Sequence, residues 1–319
     1  MPDPTLFDAN SIHPDVAAFN AELERLGAEA PPIHTLEPEI IRAAREDGSG
    51  PAGPIIYSDM AEERVIETDI GGLPVRVFVP DTVKGVYLHI HGGGWVLGRA
   101  HHQDIRLEEI AKECSAAVVS VDYRLAPEHP YPAGPDDCEA AAVWLVENAK
   151  SEFGADNIVI GGESAGGHLS VSTMLRMRDK HDYTGFKGAN LLYGVYDLSM
   201  TPSQANWGDR TLILSTPIMA WFYDHYVPED IRRDPDVSPI YADLTGMPPA
   251  LFTVGTLDPL LDDTLFMRAR WATAGIESEL AVYPGAVHGF NGFPTDQAEQ
   301  ANSRINGFIT DTFNGRSNK

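Results

Sequence analysis

The sequence predicts an α/β protein with a mostly parallel central sheet flanked by helices. Three observations carry this reading. From Val86 to Tyr193, short apolar runs alternate with longer helical patterns, the rhythm of successive βαβ units. The glycine-rich and titratable motifs with chemical potential fall directly after strand patterns, as expected where loops gather at the carboxyl ends of a parallel sheet. The chain has 319 residues, and α/β folds of this size commonly close as one unit, so a single domain over 1–319 is expected.

The elements follow in order. Val16, Phe19, Leu23 and Leu26 recur at helical spacing, which predicts an amphipathic helix over 14–27. A second short helix is expected over 38–46. The stretch 48–54, rich in glycine and proline, is a loop or hinge. From Arg64 the pattern turns to strands, with Gly71-Gly72 as the hairpin turn between Val65-Ile66 and the run 75–78. Strands are then expected over 86–90, 117–121, 158–160 and 189–193, and helices over 104–114, 135–150 and 169–177. Between Asp197 and Thr245 the alternation stops. This insertion holds Trp207, Leu212, Ile213, Leu214, Met219, Trp221, Phe222 and Tyr226. Most of these aromatic and aliphatic residues are expected to pack it onto the core. Strand patterns resume over 249–255 and 279–283.

Charge and cysteine content narrow the class. The chain carries 23 basic and 47 acidic residues, a formal net charge of -24. Such a surface repels nucleic acid and anionic membranes, so neither is an expected partner. The acids are spread along the chain, which suits a solvated acidic surface, one adapted to salt among the options. Only Cys114 and Cys138 are present, and they are expected as buried free thiols of a cytoplasmic protein. Met1-Pro2-Asp3-Pro4 is acidic and broken by proline, so no secretion signal is expected. No apolar run approaches the roughly 18 residues of a membrane span. A homodimer is compatible with the sequence.

The chemistry centres on Ser164. It lies in Gly162-Glu163-Ser164-Ala165-Gly166, after the apolar run Ile158-Val159-Ile160 and before a helical pattern. G-x-S-x-G at a strand-to-helix junction describes a tight elbow that lifts a serine hydroxyl above the sheet. Side chains larger than hydrogen at Gly162 and Gly166 would collide with the flanking elements. The helix start behind Ser164 favours developing negative charge. Upstream, a strand ends in His91-Gly92-Gly93-Gly94-Trp95. Bare glycine N–H groups can converge on a ligand oxygen, as an oxyanion hole requires. Gly92, Gly94 and Gly98, with Asp122 closing the next strand, also resemble a dinucleotide-binding loop. No helix opens at these glycines, since the next helical pattern starts near Asp104, and this weighs against a nucleotide. Downstream, Asp258 and His288 each stand just past a late strand. Serine, acid, histidine is the chain order of one structural class of serine hydrolase.

Together these motifs resemble the bacterial hormone-sensitive lipase family of esterases, within the α/β-hydrolases. The resemblance rests on His91 to Trp95, Val121 to His129, Gly162 to Gly167, Asp258-Pro259-Leu260 and His288-Gly289-Phe290, and runs from about residue 62 to about 313. It implies the α/β-hydrolase fold with a helical cap built from about 1–57 and about 198–245, set over Ser164. It implies a serine esterase acting on short-chain carboxylic esters through an acyl-enzyme, with lactones, amides or carbamates as alternative substrates of the same triad. A non-catalytic small-molecule receptor is a further alternative, disfavoured by the presence of His288.

The resemblance assigns Ser164 as nucleophile, His288 as base and Asp258 as the acid that orients it. Asp262 and Asp263 are rivals expected instead to start the next helix. The letters alone do not say which glycines of Gly92-Gly93-Gly94 turn inward. The resemblance selects the N–H groups of Gly93, Gly94 and Ala165 as the oxyanion hole. His91, Gly92, Asp122 and Glu163 are expected to support the motif, with Arg124 beside Asp122 at the end of a strand adjacent to the elbow strand. Many members carry Asp where this chain has Glu163, which leaves the bonding of that side chain open. Its carboxylate is expected to point away from the hydroxyl. His89 is expected to face the same way as His91. His89, His91, His101 and His102 lack metal-ligand spacing with a Cys or acid cluster, so neither a metal nor another cofactor is expected.

Overall fold

The computed structural model describes residues 3–51 and 53–316. Eight strands form one sheet. They are β1 (Glu62–Thr68), β2 (Gly71–Phe78), β3 (Gly85–Ile90), β4 (Ala116–Val121), β5 (Ile158–Glu163), β6 (Gly188–Leu192), β7 (Ala250–Leu257) and β8 (Ser278–Val287). Their order across the sheet is β1-β2-β4-β3-β5-β6-β7-β8. From β4 to β8 all neighbours pair in parallel, while β1–β2 and β2–β4 pair antiparallel. The inner strands β3, β4 and β6 are buried at every position. This is why they read as continuous apolar runs rather than alternating ones.

Two expectations need correction. The hairpin turn is Asp69-Ile70, not Gly71-Gly72: both glycines belong to β2, and Thr68 pairs with Gly71. The glycines serve the strand beyond the turn. Gly72 sits where an added Cβ would come 2.9 Å from the Val65 side chain across the pair. The strand that leads into Asp122 is also not adjacent to the elbow strand. β3 lies between β4 and β5, because the chain crosses back over β3 before continuing outward.

Helices cover both faces. The helices α4 (Ala133–Phe153), α5 (Ala165–His181) and α8 (Leu261–Thr273) pack on one side, through Leu145, Leu169, Met174, Met267 and Trp271. The helices α3 (Asp104–Cys114) and α9 (Asp296–Phe313) pack on the other, through Leu107, Ile110, Ile305, Phe308 and Ile309 around the buried Cys114. Cys114 and Cys138 are both free and buried. The buried ion pair of Arg76 with Asp104 ties β2 to α3, and Asp104 also accepts from the Ser58 N–H at 3.0 Å. No helix among the described residues is long and apolar enough to cross a membrane.

Two further regions meet above the carboxyl ends of the strands. The N-terminal one holds α1 (Pro14–Glu29) and α2 (Pro38–Glu46); the insertion holds α6 (Pro202–Ala205) and α7 (Thr216–Tyr226). Thr211 and Arg210 of the insertion bond to Glu24 of α1. Asn20 of α1 donates to the Gly285 carbonyl at 2.8 Å. Arg42 of α2 donates to the carbonyls of Val96 and Ala126 and pairs with Glu128. Proline in the first turn and Ser215 as N-cap explain where α7 begins.

Candidate active site

The elbow is built by close backbone approach. β5 ends at Glu163, α5 begins at Ala165, and Ser164 between them has φ 57° and ψ -120°. This is a costly conformation for a residue with a side chain, and it persists only where neighbours enforce it. Here the Ser164 N–H is fixed on the Leu192 carbonyl at 2.9 Å. A Cβ at Gly162 or at Gly166 would stand 2.0 Å or 1.9 Å from the Ile90 carbonyl oxygen. Only glycine lets strand β3 and helix α5 close this tightly around the serine.

Asp258 follows β7 and His288 follows β8, at the same edge of the sheet. The His288 ring joins the acid to the serine: Nδ1 lies 2.9 Å from Asp258 Oδ2, and Nε2 lies 2.9 Å from Ser164 Oγ. A carboxylate can only accept, so Nδ1 carries the proton and Nε2 presents its lone pair to the serine hydroxyl. The other Asp258 oxygen accepts from the Leu260 N–H at 2.9 Å. Asp258 is 1 % exposed and His288 6 %, so bulk water does not compete for this chain of bonds.

Of the rival acids, both lie in the first turn of α8 as expected, but they differ. Asp262 accepts from the Ser203 N–H at 2.8 Å. Asp263 is fully buried and accepts from four donors: Tyr196 N–H, Asp197 N–H, Thr201 Oγ1 and Gln204 Nε2. It anchors the start of the insertion to the core. Burial pushes its carboxyl up to about 7 against those donors.

The glycine loop is held by Glu163. Its Oε1 accepts from the Gly92 N–H and from Gln103 Nε2, each at 3.1 Å, and its Oε2 lies 3.0 Å from His89 Nε2. His89 Nδ1 continues to Ser120 Oγ at 2.8 Å. Burial disfavours the charge on Glu163, but His89 and the Gly92 N–H prevail and lower it below the usual range. The Gly92 N–H is therefore consumed, whereas the N–H groups of Gly93, Gly94 and Ala165 donate to nothing among the described residues. Gly94 has φ 60°, and a Cβ there would strike the Phe222 ring at 2.2 Å. Helix α7 thus closes directly on the loop.

His91 fixes its own loop, as expected: Nδ1 bonds the Gly92 carbonyl at 2.8 Å, and the ring stacks on Tyr123 at 4.2 Å. His89 and His91 both line the cavity at Ser164, on the same side as expected, although their hydrogen-bond partners differ. Asp122 accepts from the Ala100 N–H and from Arg99, both at 3.1 Å. It braces the segment after the glycine loop. Arg124 instead pairs with Asp137 of α4 at 2.7 Å.

Two residues near the site carry no motif in the sequence. His168, on the buried face of α5, accepts from Trp95 Nε1 at 3.1 Å and donates from Nε2 to the Val237 carbonyl at 2.7 Å. It joins the glycine loop, the elbow helix and the insertion. Indole can only donate, so His168 is neutral, and burial pushes its imidazole down to about 4. Tyr193, with φ 33°, sets its ring edge-on to His288 at 4.7 Å and bonds Asn291 through its hydroxyl. Its one sequence cue is its place at the end of the strand beside the elbow.

A cavity of about 410 Å³ opens at Ser164 and His288. Its apolar wall includes Leu97, Leu107, Ile110, Ile213, Leu214 and Phe222. This is a small-molecule site in size and character.

A parallel sheet that delivers serine, acid and histidine from the ends of its strands, in this chain order, defines an α/β-hydrolase. The chain belongs to that family: the alpha/beta hydrolase fold family matches residues 87–292. The carboxylesterase NlhH of Mycobacterium tuberculosis is 38% identical over 250 residues, 73% of this chain and 76% of NlhH. The ethyl acetate hydrolase of Pseudomonas putida is 31% identical over 294 residues, 88% of this chain and 92% of that protein. The crystal structure of a hormone-sensitive lipase from a metagenome library aligns with a TM-score of 0.82 at 28% identity, covering 93% of this chain and 98% of that one. These similarities place the chain among the hormone-sensitive lipase-like esterases, and its activity is carboxylic ester hydrolysis by a serine mechanism.

Proposed function

We propose that the esters it cleaves are short-chain carboxylic esters of small alcohols or phenols, and that Ser164, His288 and Asp258 are the catalytic residues. The observation that carries this is the single imidazole of His288, hydrogen-bonded at once to Asp258 and Ser164. Ser164 Oγ attacks the ester carbonyl while His288 Nε2 takes its proton. Asp258 holds the ring in the required tautomer and stabilises the imidazolium. The carbonyl oxygen, now an anion, receives the N–H groups of Gly93, Gly94 and Ala165. His288 then gives its proton to the leaving alcohol, and water hydrolyses the acyl-enzyme by the same route in reverse. Every proton has a place on these side chains, so this reaction calls for no metal or cofactor.

The described residues 3–51 and 53–57, with 198–245, act as a cap. Their mutual contacts and the closure of Phe222 on Gly94 support this. The similarity to an ethyl acetate hydrolase supports a short acyl group. The two buried free thiols support a reducing, cytoplasmic setting.

Nitrophenyl esters of increasing acyl length, run beside lactones and amides, test the substrate class. Turnover should be highest with short acyl chains and fall as the chain lengthens. A preference for lactones or amides would reassign the substrate and keep the triad. Ser164→Ala should cut ester turnover by about 10⁴-fold or more while leaving the melting curve in place. An active Ser164→Ala protein would overturn the mechanism.

A further inference from the structure

Glu46, His101 and His102 form a second cluster of titratable side chains, outside the triad. Glu46 is the last residue of α2. His101 and His102 lie in the 3₁₀ turn Ala100–Gln103 that follows the glycine loop. His101 Nε2 lies 3.2 Å from one Glu46 oxygen, and His102 Nε2 lies 2.9 Å from the other. All three ligand atoms fall within 4.8 Å of one another. The rings are held in place: His101 stacks on Tyr57 at 5.7 Å, and the two imidazoles meet edge to face at 4.6 Å. The ester chemistry uses none of them. Sequence spacing gives no hint of the cluster, because its carboxylate comes from another region of the chain.

The donor set has a definite chemical preference. Two imidazole nitrogens and one carboxylate oxygen suit Zn²⁺ and related transition ions; Mg²⁺ and Ca²⁺ prefer oxygen. Around a four-coordinate ion with bonds of about 2.0–2.1 Å, ligand atoms stand roughly 3.3 Å apart. The two N···O separations are already near that value. Arg45 acts against a cation here, while the net charge of -24 acts for it.

We propose that Glu46, His101 and His102 bind one Zn²⁺-class ion, with water completing its shell, and that the ion clips α2 to the segment behind the glycine loop. Glu46 stands 55 positions from His101 in the chain, so the ion cross-links the N-terminal region to the core. Beside the histidines, Gln103 bonds Glu163, which holds Gly92. His102 itself lines the substrate cavity. The ion's role is to stiffen this wall; ester cleavage proceeds without it.

The test uses the full chain, stripped with a chelator and dialysed against Zn²⁺, with Co²⁺ as a spectroscopic substitute. Wild type should take up one ion per chain, show the absorption of Co²⁺ bound to nitrogen and oxygen, and melt at higher temperature with Zn²⁺. Glu46→Gln and the double variant His101→Gln, His102→Gln should each weaken binding by at least about tenfold and lose the thermal shift. Ser164→Ala should bind as wild type does. The metal-free melting curves check that the variants fold. As a measurement independent of variants, Zn²⁺ should protect His101 and His102 of the wild type from a histidine-modifying reagent and leave the modification of His288 unchanged. No uptake by wild type, uptake unchanged in both variants, or protection of His288 instead would overturn the proposal. None of these results would touch the serine mechanism.

Discussion

At the residue scale, three carboxylates near the end of the sheet separate by what they touch. Asp258 bonds His288, Asp262 bonds the start of α6, and Asp263 bonds four donors, two just before the insertion and two within it. Asp258→Asn should lower kcat by orders of magnitude with little change in KM, because the amide favours the wrong His288 tautomer. Asp262→Asn should cost little. Asp263→Asn should instead lower stability by about 1–3 kcal/mol, since it turns a buried acceptor toward N–H donors. Steady-state kinetics and melting curves on the three proteins separate these outcomes; a kcat loss larger in Asp262→Asn than in Asp258→Asn would reassign the acid. The proposed triad is legible in the sequence because each member sits in a short motif after a strand. The role of Asp263 is not, because its partners come from a segment about 60 positions away, and only the fold brings them together.

At the element scale, helix α5 joins the parts that must stay aligned. Ser164 caps it, and His168 one turn on binds Trp95 and Val237. From Ala165 to Met177 the helix is buried at every position, so helical periodicity is faint there and the sequence pattern opens only at Leu169. His168→Leu should leave Trp95 Nε1 and the Val237 carbonyl without partners and cost about 1–3 kcal/mol. It should also raise KM, through the loosened glycine loop and insertion, more than it lowers kcat. An unchanged melting temperature would show that the bonds of His168 bear no weight. Glu163 is the opposite case. Its position beside Ser164 is plain in the letters, but its hold on Gly92 depends on β3 lying next to β5, and the alternation of strands and helices does not specify that order.

At the scale of the whole molecule, stability should depend on acid and on salt. His91 and His168 are buried, and their imidazoles are pushed from 6.5 down to about 4. Between those values the unfolded chain binds two protons that the native state refuses. Asp263, raised to about 7, binds one proton that the unfolded chain has lost. Among these three groups the unfolded state is ahead by one proton, and His102, whose imidazole burial also lowers, adds in the same direction, so stability falls as pH drops from about 6.5 toward 4. Melting temperatures across that range check the sign; a rise on acidification would contradict it. The net charge of -24 predicts a second trend. Screening length shrinks to roughly 3 Å at 1 M salt, so added NaCl should raise the melting temperature, or at least not lower it. Buried pairs such as Arg76–Asp104 are poorly screened and should persist. A steady fall with salt, absent with a neutral osmolyte, would show that ion pairs outweigh repulsion.

The separation of Ser164 from His288 by 124 positions has a practical consequence. The elbow is local and can form as soon as β5 meets α5. His288, the proposed base, arrives only when β7 and β8, the last of the eight strands, have docked at the far edge of the sheet. A reactive serine is therefore a report on completed folding. During refolding, helical signal should recover first, and capture of a fluorophosphonate label should lag until the final edge of the sheet is in place. The labelled fraction then counts native molecules, in a sample where spectroscopy sees only an average.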